Sequence, residues 1–368
     1  MRVVILIFII CLVTSCYKVY DPQVDTTEKV LVVDGLITNQ TDAYHVVLTY
    51  ARLFNSNGKS TPVSSANVNV TDNLGNSYIF NEIGNGDYKS DSLQFTGIPG
   101  RSYKLHIVAS DGKKYESDSQ RLFPESYPDS VYSEYDNQKI LDESTGLKIN
   151  THGADILIDI RNKADTLSRF RFTSNLIRQY FYIIYPFMEP PIIFYCWQTV
   201  NANSNINLTD EEYSLNSASI RKHQICFLDD NLYCHALYYS YTEHPYTVVL
   251  TDFYQTYEIH HRILYFNQYT LNNETYLYYK SLNEQIQSEG KLFDPVAAQL
   301  TGNIKCISDP GKSAIGFFEA SSVSNSAYIV DFRNLTNSRP TLIKTPYILP
   351  PESNGCRINN APSFWIFI

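Results

Sequence analysis

"SYKLHIVASDGKKYESDSQRLF", Ser102 to Phe123, is the stretch whose reading decides the fold class. It holds two runs in which apolar and polar residues alternate, the period-2 signature of a strand with one buried face. Between them stands Ser110-Asp111-Gly112, and an Asp-Gly pair accepts the positive backbone angles of a tight hairpin turn. Two antiparallel strands and their connection are therefore expected within this one segment.

Working upstream, similar segments recur at short intervals: "ANVNVTDN" (Ala66–Asn73), "NSYIFNEI" (Asn76–Ile83) and "GDYKSDSLQF" (Gly86–Phe95). Gly75, Gly84, Gly86, Gly97 and Gly100 punctuate them. "AYHVVLTYARLF" (Ala43–Phe54) and "KVLVVDGLITN" (Lys29–Asn39) read as earlier strands, the apolar run Val30–Val33 of the latter being closed by Asp34-Gly35. Short strands with turns every ten or so residues predict a mainly β chain whose first unit, 29–124, is a two-sheet sandwich. The segments "PVSSANVNV", "DNLGN", "GDYKSD" and "PGRSYKLHIVASDGKKY" resemble immunoglobulin-like or transthyretin-like modules, a likeness that implies a spacer or a binding fold.

Downstream, Pro124 and Pro128 within "PESYPDSVYSEY" mark a junction to a second β-rich unit, 125–368. Its strands are "GADILIDIRN" (Gly153–Asn162), "SRFRFTSNLIRQYFYII" (Ser168–Ile184) and "HPYTVVLTDFYQTYEIHHRILYFNQYTL" (His244–Leu271). The loops "YPFMEPP" and "NANSNINLTDEEYSLNSASIRK" lie between them, the second being long enough to serve contact with a ligand or partner. One helix is expected near 272–289: Tyr276, Tyr279, Leu282 and Ile286 recur at three- and four-residue steps, Asn272 or Asn273 caps the start and Gly290 the end. The stripe reads as a face that packs on a sheet.

The N-terminus is of another kind. Arg2 precedes an apolar run, Val3–Val13, that is too short to span a bilayer, for which roughly 20 residues are needed. Residues 1–15 read as a signal peptide, and Val13-Thr14-Ser15-Cys16 resembles a bacterial lipobox. That resemblance implies lipidation of Cys16, a tether over 16–28, and attachment to a membrane through two or more acyl chains. Tyr17 stands where an aspartate would signal inner-membrane retention, so the outer membrane is the expected location.

The chain has 368 residues, 43% hydrophobic and 18% charged, with a formal net charge of -9. It can bury a sizeable core, and without a basic run it offers nothing to a phosphate backbone, which argues against nucleic acid. The 30 tyrosines and 19 phenylalanines suit half-buried strands and also surfaces that stack on sugars or peptides. Once Cys11 is cleaved away and Cys16 acylated, Cys196, Cys226, Cys234, Cys306 and Cys356 remain as candidates for disulfides. Cys226 with Cys234, or Cys196 with one of them, are pairings that would pin the loops, and spacing alone leaves the connectivity open.

Motifs for chemistry fail one by one. "DPGKS" (Asp309–Ser313) ends like a phosphate-binding loop but has Cys306 where the first glycine belongs, so it reads as a polar turn. His260 and His261 are neighbours on a strand and face opposite sides; Asp229-Asp230-Asn231 lacks the spacing of a calcium loop. Neither a Gly-x-Ser-x-Gly elbow nor a His-Glu-x-x-His helix occurs. No cofactor, metal or catalytic residue is expected. Tyr185, Phe187, Phe194 and Trp197, in or near loops, are candidates for a binding surface, with core packing an equal alternative.

The later segments "GKLFDPVAAQLTGNIKC", "AIGFFEASSVSNSAYIVDF" and "CRINNAPSFWIF" resemble an uncharacterised family of Bacteroidota outer-membrane lipoproteins, a domain of unknown function. Its marks fall on Leu31–Thr38, Tyr276–Leu282, Phe293-Asp294-Pro295, Gly302-Asn303-Ile304, Gly316-Phe317-Phe318 and Pro362–Trp365. A second cysteine common near the terminal one is absent here, leaving Cys356 alone. Because such proteins are often encoded beside TonB-dependent receptors, the resemblance implies a non-catalytic accessory or binding subunit of a transport barrel. A stand-alone glycan-binding or adhesion module is the alternative, and a glycan or peptide is the expected ligand class.

Overall fold

The computed structural model describes residues 30–51, 60–141, 148–161, 169–184, 192–202, 205–209, 219–229, 261–288, 300, 302–312, 314–331 and 355–358. The protein is mainly β, with one helix among the described residues. The lipobox, the tether, the Phe-Asp-Pro turn, Tyr185, Phe187 and Cys234 lie outside them.

The opening hairpin forms as its sequence dictates. β7 (Ser102–Val108) pairs antiparallel with β8 (Lys114–Ser117), matching Ile107 with Tyr115. Gly112 takes a φ of 84° in the turn and Ala109 N–H donates to the Lys113 carbonyl at 2.9 Å. The "DNLGN" turn joins β4 (Asn67–Asp72) to β5 (Ser77–Gly84) in the same way. There the Asp72 carboxylate accepts from the Leu74 and Asn76 amides at 2.9 Å and pairs with Arg101 at 2.8 Å.

With β1 (Leu31–Ile37), β2 (His45–Tyr50), β3 (Thr61–Pro62), β6 (Asp87–Ser90) and β9 (Gln120–Arg121), these strands make one continuous sheet. Two separate sheets were expected. Instead the hydrogen-bonded order runs β8-β7-β4-β5-β6-β2-β1, with β3 on β2 and β9 on β7. The sheet curls around a single core in which Tyr88, Tyr103, Leu105 and Leu48 are sealed from solvent, and Phe95 stacks on Tyr78 at 4.0 Å. Each such side chain contributes about 1.5–3 kcal/mol by leaving water.

Two late strands complete this sheet. β17 (Ile304–Cys306) extends it beyond β8, and β18 (Ala314–Ala320) lies parallel to β1 at the other edge. The Asn303 side chain joins those edges, making the sheet nearly a barrel: it donates to the Phe318 carbonyl at 2.8 Å and accepts from its amide at 2.9 Å. β1 is thus paired on both sides, which explains why it runs through Asp34-Gly35 to Ile37 rather than closing there. Gly35 is a close-approach position, since an added Cβ would lie 3.2 Å from Val46 and 3.3 Å from Phe318.

The remaining strands form two facing sheets. One has the order β10 (Ser130–Leu141), β11 (Lys148–Arg161), β15 (Ser219–Asp229). The other runs β19 (Ser322–Asp331), β16 (His261–Leu271), β12 (Arg169–Ile184), β13 (Ile192–Asn201), β20 (Gly355–Ile358), with β14 (Asn207–Leu208) on β12. A second core fills the space between, with Val131, Ile156 and Ile158 opposite Phe170, Phe172 and Leu264. The expected junction is already strand from Ser130, and its preceding residues are pinned: Gln268 and Ser324 both donate to the Ser126 carbonyl. Ser321 alone joins β18 of the curled sheet to β19 of the second unit, and its N–H donates to the Ile37 carbonyl at 3.0 Å.

The helix, α1 (Asn273–Ser288), starts where the sequence places it. The Asn272 carboxamide accepts from the Thr275 N–H at 2.8 Å, the N-cap bond. Buried Gln120 receives the same Asn272 side chain at 2.6 Å and donates to Glu274 at 2.8 Å, which ties the helix to β9. The apolar stripe is covered over its first turns only. Tyr276 is buried, whereas Ile286 is 47% exposed, so the last of the four predicted contacts is absent.

Candidate functional site

Between the curled sheet and the second unit lies an open cavity of about 920 Å³. Its walls follow from period-2 alternation on four strands. On β1, Leu31 and Val33 enter the first core while Val32, Asp34 and Leu36 line the cavity. On β18, Phe318 and Ala320 go inward and Ile315, Phe317 and Glu319 outward. β12 gives Phe170, Phe172 and Leu176 to the second core and Arg171 and Asn175 to the cavity; β16 likewise gives Leu264 and Phe266, then Tyr265, Asn267 and Tyr269. The cavity is therefore bounded by the backs of two sheets whose fronts are occupied. Helix α1 supplies Tyr278, Tyr279 and Leu282 along one side.

An ion pair forms the floor. Arg171 approaches both carboxylate oxygens of Glu319 at 3.2 Å, and their side chains are 11% and 3% exposed. The guanidinium sits against two aromatic rings, 4.1 Å from the centroid of Tyr269 and 4.4 Å from that of Tyr279. The Tyr279 hydroxyl donates to Glu319 at 2.6 Å. Burial, then the neighbouring Glu319 charge, raises the Tyr279 pKa far above the usual phenol range, so it stays a donor. Burial opposes the Arg171 charge, yet Glu319 and the two tyrosines outweigh it and hold the guanidinium firmly protonated.

Asp34 stands at the mouth, open to solvent yet recessed among protein atoms. That recess raises its pKa first, Glu319 adds to the rise and Arg171 offsets part of it. Tyr278 lies over Phe317 with ring centroids 4.5 Å apart. A row of neutral polar side chains crosses the wall, for Thr173, Asn267 and Asn325 stand abreast by strand register. Asn267 donates to Thr173 at 3.3 Å.

Chemically, the floor is committed. Glu319 already accepts from Arg171 and Tyr279, so proton transfer is not its role; among the described residues Asp34 and Asp42 are the lining carboxylates without such a pairing to a cation. What the cavity offers is hydrogen bonding through amides and flat aromatic surface. Among the described residues no group of three or more His, Cys, Asp or Glu is arranged to hold a metal.

The residues singled out from sequence fare unevenly. Tyr279 and Leu282 line the cavity, while Tyr276 packs inward with its hydroxyl on the Thr209 carbonyl at 2.8 Å. Phe194 and Trp197 are on β13, opposite Tyr182 and Gln179 in the strand register. Cys226 and Cys306 are free, buried thiols belonging to different cores. Burial pushes the Cys226 thiol up to about 12. "DPGKS" begins with a turn in which Lys312 N–H donates to the Asp309 carbonyl at 2.9 Å. Sequence reasoning passed over Arg171 and Glu319 and read Asp34 only as a strand end, although charges set among apolar residues in "RFRF", "GFFEA" and "LVVDGLI" are the signal that would have found them.

A curled sheet and a sandwich enclosing an aromatic, amide-lined cleft define a mainly β protein with a ligand-sized cavity. The chain belongs to the family described as a domain of unknown function (DUF4249), whose model matches residues 17–327. No curated protein matches the chain. Nor does any solved structure. No helix among the described residues is long and apolar enough to cross a membrane.

Proposed function

We propose that the protein is an outer-membrane lipoprotein, anchored through Cys16, that acts as a non-catalytic binding subunit of a TonB-dependent transport system, as the Bacteroidota resemblance implies. The observation that carries the binding role is the cavity. At about 920 Å³ it matches the size of sites that enclose an oligosaccharide or a short peptide. Beside the carboxylates of Asp34 and Asp42 its polar groups are mostly amides and phenols, the chemistry that suits hydroxyl-rich ligands, and a glycan is the ligand class it fits. The first unit then serves as a binding fold, one of the two roles that its immunoglobulin- or transthyretin-like pattern implies, since β1 lines the cavity.

Anchoring rests on the lipobox, and the family match begins at residue 17, directly after Cys16. A tether keeps the module at high effective concentration beside a barrel, so a weak contact suffices. Two measurements test the reading. Calorimetric titration of the chain from residue 17 onward with a panel of neutral oligosaccharides should give saturable binding that Tyr278→Ala and Asn267→Ala weaken at least tenfold; no binding across the panel removes the glycan assignment. Detergent extraction and affinity purification at native expression should recover a TonB-dependent receptor. A monomer that binds glycan without a receptor establishes the stand-alone adhesion alternative instead.

A further inference from the structure

The backbone brings two distant cysteines into direct opposition. β13 and β20 pair antiparallel with the register Phe194–Ile358, Tyr195–Arg357, Cys196–Cys356 and Trp197–Gly355. Opposed residues of an antiparallel pair share one face of the sheet, with Cα atoms about 4.5 or 5.5 Å apart according to the pair type. Both separations lie inside the window that a disulfide spans, about 4.4–6.8 Å. A one-residue slip would put the cysteines on opposite faces, so the match depends on this register and no other nearby one.

We propose that Cys196 and Cys356 form a disulfide that fastens β20 to the edge of the second sheet. The other described cysteines, Cys226 and Cys306, are free, buried thiols enclosed in two different cores. The bond forms by thiol–disulfide exchange with a dithiol oxidase of an oxidising compartment. One thiolate attacks the oxidase disulfide, the second displaces it, two protons leave the protein thiols and the oxidase takes up the two electrons as a reduced dithiol. The bridge encloses about 160 residues, the kind of long closure for which a cross-link removes most freedom from the unfolded chain. β20 is a four-residue strand held to β13 alone among the described strands, and a covalent bond gives that edge what its length does not.

The inference stands apart from the ligand assignment, and its test is independent of it. Full-length protein from its native source is blocked with N-ethylmaleimide before lysis and digested with trypsin without reductant. Peptides 179–221 and 345–357 should appear joined and separate only on reduction. Recovery of both as singly blocked thiols overturns the proposal, as does finding either joined to the peptide of another cysteine. In a second measurement, reductant should lower the melting temperature of the wild type and leave that of a Cys196→Ser/Cys356→Ser double variant unmoved; equal sensitivity of the two would also overturn it.

Discussion

The Asn303 carboxamide imitates a strand: it donates to the Phe318 carbonyl at 2.8 Å and accepts from the Phe318 amide at 2.9 Å, both within the buried interior. This reciprocal pair joins the two edges of the curled sheet. It links two segments that carry the sequence resemblance, Gly302-Asn303-Ile304 and Gly316-Phe317-Phe318. Asn303→Ala leaves two buried backbone groups of Phe318 without partners, at about 1–3 kcal/mol each. A loss of about 3 kcal/mol is expected by chemical denaturation, and Asn303→Asp should not restore it, since a carboxylate cannot donate to the carbonyl. A loss below about 0.5 kcal/mol for Asn303→Ala would show that the edges hold without the side chain.

Gly316 lies where β18 meets β1, with a φ of 103°, and a Cβ built there would run into the Val33 carbonyl. Gly75 has a comparable φ of 87° in an open turn with nothing within 4 Å. The two separate backbone strain from collision. Gly75→Ala should cost about 1 kcal/mol, the strain alone, whereas Gly316→Ala should cost well beyond about 3 kcal/mol or prevent soluble expression. Similar losses at both positions would refute the close approach.

Arg171 and Glu319 are 148 residues apart in sequence and meet under the cavity. Removing one partner of a buried pair strands the other, at about 3–5 kcal/mol. Glu319→Gln should therefore destabilise by that order. Arg171→Met/Glu319→Leu together should cost less than either single change, and a double-mutant cycle by denaturation measures the difference. Additive single losses would mean that the two charges are not coupled.

Asp155 receives Gln138 at 2.7 Å and Gln224 at 2.6 Å on the same carboxyl oxygen, beside Asp136. Burial first, then the Asp136 charge, pushes its pKa up to about 6 from 3.8. With the folded value above the unfolded one, the native state holds the proton more tightly. The stabilising contribution is thus complete below about pH 4 and is lost as pH rises to about 6. Partial solvent exposure makes the effect smaller than the full linkage value. Asp155→Asn keeps both glutamine contacts, so its stability at pH 7 should exceed wild type and its profile between about pH 4 and 6 should flatten. Denaturation midpoints that stay parallel for the two proteins across that range would exclude the assignment.

Much of the local structure was legible. The Asp111-Gly112 hairpin, the Asp72–Asn76 turn and the Asn272 cap each depend on residues a few positions apart, whose interactions form in any context. The helix stripe was legible only in part: spacing puts Ile286 on the face of Tyr276, but the surface opposite ends before it. Asp34-Gly35 reads as a stop because both residues disfavour strands. Neighbours on both sides hold it extended, and a close approach at Gly35 calls for the missing side chain.

The amino-acid sequence by itself determined that the chain is mainly β, where most strands turn, and where its helix begins, because alternation and turn chemistry act between near neighbours. Only the tertiary structure decided that residues 304–320 complete a sheet begun at residue 31, and that Arg171, Glu319 and Asp34 gather around one cavity. Alternation says that a strand has a second face but not what lies opposite it. That is fixed by pairing between segments far apart in the chain, which no local pattern encodes.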